Sequence, residues 1–202
     1  MNTPPKPKPP KRIDTLGLDV KLPDGELRMG LLDPDLAQII GRIVGQWTHA
    51  EEAMSMLLAA IAGISESAGR NAFRSILNQH ARITVMRNLL EKSHEAVSLG
   101  PEYDAFLDEF EKLNGLRNQY LHSVWLTDDR TGKVYLIEAE TTHFAHLDPR
   151  RITAKELTAV EDRIISLRQS VIDHAHARRD RIAAERYQAS RKTRPRRRGG
   201  NG

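Results

Sequence analysis

The sequence predicts an all-α protein: an up-down bundle of four long helices with one short β-hairpin inserted after the third, between disordered basic N- and C-terminal tails. Three observations predict it. Apolar residues recur at i, i+3, i+4 and i+7 along four segments joined by short links. That rhythm breaks once, at 124–137, where short β-branched and aromatic runs flank a turn. Charge then separates body from ends in a chain of 202 residues with a net charge of +4. Residues 1–12 carry +4, and residues 178–198 carry ten basic side chains against two acids, so residues 13–177 stand at −8. The division expected is an extended or irregular arm over 1–33, a helical bundle over 34–177, and a basic helix extension and tail over 178–202.

Five prolines in residues 1–12 exclude helix and central strand there. Residues 13–33 are broken by Gly17, Pro23, Gly25 and Gly30, leaving at most a short strand near 18–22. Asp33-Pro34 starts the first helix, over 34–62, with Asp as N-cap and Pro at the first helical position. Leu36, Ile39, Ile43, Trp47, Met54, Leu57 and Ile61 form its stripe, and Gly63 ends it. Gly41 and Gly45 mark where a neighbouring helix is expected to come close. Ser65 or Ser67 caps a second helix running to about Ser98, with Phe73, Ile76, Leu77, Ile83, Met86, Leu89 and Leu90 inward. Gly100-Pro101 breaks it. The third helix starts near Glu102, carries Tyr103, Phe106, Leu107, Phe110, Leu113, Tyr120 and Leu121 on one stripe, and ends near Ser123. Val124–Thr127 and Val134–Ile137 make the hairpin, and 142–150 reads as loop. Thr153, with Glu156 three residues on, is a capping box for the last helix. Leu157, Val160, Ile164, Leu167 and Val171 face inward; beyond Ile172 the stripe thins, and the helix is expected to project and fray near Ser190.

The absence of cysteine excludes disulfides, thiolate nucleophiles, zinc fingers and iron–sulfur clusters. No apolar stretch approaches the roughly 20 residues that span a bilayer, and no apolar segment follows the basic N-terminus. A cytoplasmic protein without membrane partner or cofactor is expected. Phosphate-cradling glycine loops, nucleophile elbows and His-Glu-x-x-His are missing. His174 and His176 are two apart and point to different sides of a helix, which suits a shared metal poorly; both are expected to be solvated. His143 and His146 have no third ligand nearby, so no metal site is expected. Glu109 and Glu111 read as a solvated helix face.

One constellation remains, Arg117-Asn118-Gln119-Tyr120-Leu121-His122 at the end of the third helix. On a wheel of about 100° per residue, Arg117 falls near the centre of the apolar stripe, between Leu113 and Tyr120. An inward guanidinium is costly unless paired. Asn118 and His122 are i, i+4 neighbours on one flank. The set suits phosphodiester cleavage: arginine holds a phosphate bidentately, and a histidine near neutrality moves the proton of an RNA 2′-OH or of the leaving 5′-oxygen. The same residues also suit a structural role, with Glu51 as the counter-ion of Arg117 and His122 favoured at the helix C-terminus.

The segment Leu113-Asn114-Gly115-Leu116-Arg117-Asn118-Gln119-Tyr120-Leu121-His122-Ser123-Val124-Trp125 resembles the signature of the HEPN superfamily. In that signature an arginine and a following polar residue precede a histidine by four to six positions, on a late helix of a small bundle. Four residues intervene here. The resemblance spans about 34–175, with a long first helix carrying Trp47 and Glu51. It implies a metal-independent endoribonuclease, often a homodimer, with the two motifs facing across the interface. Such proteins act in toxin–antitoxin, phage-defence or RNA-processing systems, so an antitoxin or other protein partner is implied as well as RNA. Carried over, Arg117 binds phosphate, His122 is the acid/base and Asn118 assists. The acidic body and the inserted hairpin depart from that pattern. Two other functions stay open: a catalytically inactive helical protein-interaction module, and a nucleic-acid binder acting through the basic C-terminal tail.

Overall fold

Asp33 starts the first helix as its sequence requires. Its carboxylate accepts the N–H of Asp35 at 2.8 Å and of Leu36 at 3.4 Å, and Pro34 fills a position where no amide donor is needed. Gly63, at φ 67°, closes the helix in the left-handed conformation that favours glycine. The computed structural model describes residues 27–29, 33–94, 101–137 and 149–193. The strand considered near 18–22, His143, His146 and residues 194–202 lie outside them. Among the described residues there are five helices, α1 (Pro34–Ala62), α2 (Glu66–Ser75), α3 (Gln79–His94), α4 (Glu102–His122) and α5 (Ala154–Thr193). There are also four short strands, β1 (Leu27–Met29), β2 (Val124–Asp128), β3 (Val134–Ile137) and β4 (Arg150–Ile152). The protein is therefore mostly helical, with a small sheet. It divides into a helical unit, 33–121 with 152–202, and a sheet unit, 1–32 with 122–151.

In the helical unit α1 packs against α2, α3 and α5. Its stripe of Ile43, Trp47, Ala50, Met54 and Leu57 is buried, as are Leu157, Val160, Ile164, Leu167 and Val171 of α5. Trp47 stacks on Phe110 of α4, centroids 4.5 Å apart and rings 11° from parallel. Arg42 grips Glu161 through two nitrogens at 2.9–3.1 Å, tying α1 to α5. Thr153 caps α5 as predicted, accepting the N–H of Glu156 at 3.2 Å. The helix continues past Ser190 to Thr193.

The predicted second helix is two helices. Ile76 is extended, at φ −89° and ψ 103°, and Leu77 is 91% exposed instead of inward. The cause is Asn78, whose side chain accepts the N–H of Ala81 at 3.1 Å and starts α3 afresh. The apolar rhythm runs across the break and conceals it. Leu121, assigned to the α4 stripe, is likewise 38% exposed. Nor do Gly41 and Gly45 admit a neighbour: a Cβ at either would meet nothing within 4 Å. The close approach is at Gly69 of α2, where a Cβ would lie 2.5 Å from Ala59 Cβ and 2.9 Å from the Ser55 carbonyl oxygen.

The sheet runs in the order β1-β2-β3-β4. β1 pairs antiparallel with β2, Leu27 opposite Asp128, and β2 with β3, Val124 opposite Ile137. β2 and β3 are the predicted hairpin. β1 and β4 fall in segments that the sequence predicts to be irregular or loop, because three residues are too few for alternation to register. Asp128 organises the turn. It accepts the Thr131 hydroxyl at 2.6 Å and the Arg130 N–H at 2.9 Å, and Gly132 turns the chain at φ 64°. The Thr131 hydroxyl, then the Arg130 amide, hold the Asp128 carboxyl below its ordinary 3.8.

Because that group is depressed in the folded state, its contribution is complete above the ordinary carboxylate value and is lost as pH falls through the lowered one. Thermal unfolding of the wild type is expected to weaken more steeply below about pH 4 than that of Asp128→Asn. Parallel pH profiles would refute the role given to this carboxylate. Separately, Gly69→Ala should cost about 1–3 kcal/mol by overpacking, while Gly45→Ala should gain up to about 1 kcal/mol of helix propensity. Denaturant titration of the two variants checks both signs.

Candidate functional site

α4 carries the motif, and three helices hold it. Phe110 lies on Trp47 of α1. Asp108 takes Arg87 of α3 at 2.6 Å, and Glu109 takes Arg163 of α5 at 2.8 Å. Glu111 takes Arg87 at 3.5 Å and His80 at 3.4 Å. These acids are ion-paired, not merely solvated as their sequence suggested. The bond from Arg87 keeps the Asp108 carboxyl below its ordinary range, and the bond to Glu109 raises the Arg163 guanidinium.

Arg117 stands where the wheel put it, half-buried in a stripe whose Leu113 and Tyr120 are buried. Its Nη1 donates to Asn118 Oδ1 at 2.8 Å. Its Nε is buried and has no hydrogen-bond partner among the described residues. The proposed counter-ion is committed elsewhere: Glu51 accepts Arg82 Nη1 at 2.8 Å. Arg82 also donates to the Ile76 carbonyl at 2.6 Å and to Gln79 at 3.0 Å, and lies 4.6 Å over the Phe73 ring. The Arg117–Glu51 pair read from the sequence is therefore absent. What sequence reasoning missed was Arg82, which the break at Asn78 brings back against α1. Arg117 and Asn118 belong to the helical unit. His122, the exposed last residue of α4, falls in the sheet unit, and no hydrogen bond ties it among the described residues.

A second arginine went unnoticed. Arg178, counted with the basic extension, is only 7% exposed, and its Nε and Nη1 have no partner among the described residues. It continues the α5 stripe seven residues beyond Val171, a spacing visible in the sequence. Burial raises the Tyr103 phenol, and the nearby Arg178 charge opposes that rise. His174, expected in solvent, is half-buried. Its ring meets Phe106 edge-on at 4.9 Å and Tyr103 at 6.2 Å, and its Nδ1 lies 2.8 Å from the Ser170 carbonyl oxygen. Among the described residues no group of three or more His, Asp or Glu is placed to hold a metal. No described helix is long and apolar enough to cross a membrane.

Comparison with family models, with curated proteins and with solved structures finds no match.

The two arginines should separate in a stability measurement. Arg82→Met removes a partnered cation from Glu51, Gln79 and a backbone carbonyl, and should cost about 2 kcal/mol or more. Arg117→Met removes a half-buried cation with no carboxylate and should leave stability unchanged or raise it. Equal losses in urea titrations of the two variants would show that Arg117 has an internal counter-ion.

Proposed function

We propose that this chain is a HEPN-like, metal-independent endoribonuclease, acting as a cytoplasmic homodimer of up-down four-helix bundles in a toxin–antitoxin or phage-defence role. The observation that carries the reading is Arg117: an inward guanidinium on the motif helix with a buried nitrogen that has no hydrogen-bond partner among the described residues, while Glu51, the counter-ion its sequence suggested, serves Arg82. Evolution of a structural cation would favour a partner within the fold, since an unpaired buried charge destabilises. A phosphate supplied by RNA is a partner that arrives with the substrate.

The chemistry follows from the residue types. Arg117, which bonds Asn118 and no carboxylate among the described residues, binds the scissile phosphate and offsets the charge that builds on its oxygens in the transition state. Asn118, already bonded to Arg117 Nη1, fixes the guanidinium plane. The ribose 2′-oxygen attacks phosphorus, its proton passing to the acid/base, and the P–O5′ bond breaks. The 5′-oxygen leaves protonated, giving a 2′,3′-cyclic phosphate and a 5′-hydroxyl. His122 is assigned the proton transfers because an imidazole can accept a proton at one stage of the reaction and donate it at the next, and this one is exposed at the end of α4. With two copies alongside, one chain's histidine serves as base while the other's, protonated, serves as acid.

Incubated with single-stranded RNA in the presence of a chelator, the wild type should release 2′,3′-cyclic phosphate ends. Arg117→Ala and His122→Ala should each lower cleavage by roughly 10²-fold or more with unchanged thermal unfolding. Intact RNA with the wild type, together with unfolding of both variants, would favour a helical interaction module.

A further inference from the structure

Asp108, Glu109 and Glu111 of α4 are engaged by cations, and residues 13–177 carry −8. A polyanion is repelled by such a body, so an RNA-cleaving reading requires a separate element that attracts the strand. α5 supplies one. From Arg179 to Ala189 every side chain is exposed except the half-buried Ile182, although the helix continues to Thr193. Those last fifteen residues extend about 22 Å at 1.5 Å per residue. The root is anchored: Arg178 is buried, and Arg179 holds Glu66 at the start of α2 at 2.6 Å. Arg181 and Arg186, by contrast, are exposed and have no hydrogen bond or ion pair among the described residues.

We propose that α5 beyond Arg179 is an RNA-docking arm that binds the phosphodiester backbone of a single strand through Arg181 and Arg186. The identity of the nucleic acid rests on the cleavage reading above; the arm itself rests on exposure, charge and the lack of internal partners. The composition of the arm decides the class of ligand. A lipid surface requires a continuous apolar face. After Ile182 the described arm presents only alanines and Tyr187 among its apolar groups. A protein interface requires a desolvated, apolar centre, which the same residues do not supply. A backbone of phosphates requires only cationic density. Residues 181 and 186 are roughly 140° apart around the helix at 100° per residue, so the charge is spread over the arm and not gathered into one stripe. That distribution follows a flexible strand better than a groove.

The test is equilibrium binding of full-length protein to a single-stranded RNA across roughly 50–200 mM salt, over which the Debye length falls by about half, with Arg181→Gln/Arg186→Gln and Arg181→Lys/Arg186→Lys beside the wild type. Arg117→Ala is included in the same series. At about 0.7 per phosphate contact on a single strand, the glutamine variant should lower the slope of log K against log salt by about 1.4, and weaken binding roughly 25-fold at 0.1 M salt. The lysine variant should bind as the wild type, and all should unfold at the same temperature. In cleavage, the glutamine variant should raise KM and leave kcat alone. An unchanged slope and affinity, failure of lysine to restore binding, or tighter binding to duplex DNA than to RNA would each overturn the arm. If the wild type cuts no RNA while the slope still falls, cleavage fails and the arm stands. If it cuts and the slope does not fall, the reverse holds.

Discussion

Glu51 of α1 serves Arg82 of α3, and not the Arg117 that the sequence suggested for it. That choice controls the character of the motif helix. Arg82 is 14% exposed at its side chain and is satisfied on several sides: by Glu51, by Gln79, by the carbonyl of Ile76 and by the face of Phe73. A guanidinium with its donors used in this way gains the hydrogen bonds that offset its desolvation. The break between α2 and α3 makes it possible, because the Ile76 carbonyl is available to Arg82 only where the helix has stopped. Arg117, on α4, is left with Asn118. Its chemistry is available because a turn elsewhere took up the carboxylate.

The same economy extends along α4. Left unpaired, Asp108, Glu109 and Glu111 would repel any phosphate approaching the helix end. Instead Arg87 and Arg163 meet two of them at 2.6 and 2.8 Å. Each such pair contributes little to stability, of the order of 0–1 kcal/mol at an exposed site. Their effect is on the field: the helix that carries Arg117 is close to neutral over the turns that precede it. The negative charge of the middle of the chain is a sum over the sequence, and ion pairing across helices decides where it is felt.

Most helices were legible because their signals are local. Asp33-Pro34, Gly63, Thr153 and the stripes of α1 and α5 act through neighbours within four residues, so α1 and the start of α5 fall where the sequence places them. The hairpin was legible for the same reason, from its two apolar runs and the Asp128–Gly132 turn. What the sequence concealed was set by contacts distant along the chain. The spacing of Ile76, Ile83 and Leu90 continues through a helix break, because seven-residue intervals look alike in one helix or two. β1 and β4 exist through pairing, and three residues carry no period of their own. In the site, the wheel located Arg117 but not its partner. Whether Glu51 answers residue 117 or residue 82 depends on how α3 returns to α1, which no periodicity encodes.

Arg178 sharpens what an unpartnered arginine means. Both it and Arg117 keep a buried Nε without a hydrogen bond among the described residues. Arg178 is 93% covered, beside the Tyr103 phenol whose ionisation it eases; a long aliphatic stem filling a stripe position explains its burial, and no ligand reaches a group so enclosed without moving the helix. Arg117 is only half-buried as a residue, is pre-oriented by Asn118, and precedes the exposed His122 by five residues of α4. An empty donor matters chemically only where a partner can arrive. Access, more than the missing bond, is what separates the arginine proposed to meet phosphate from the one that packs the base of the arm.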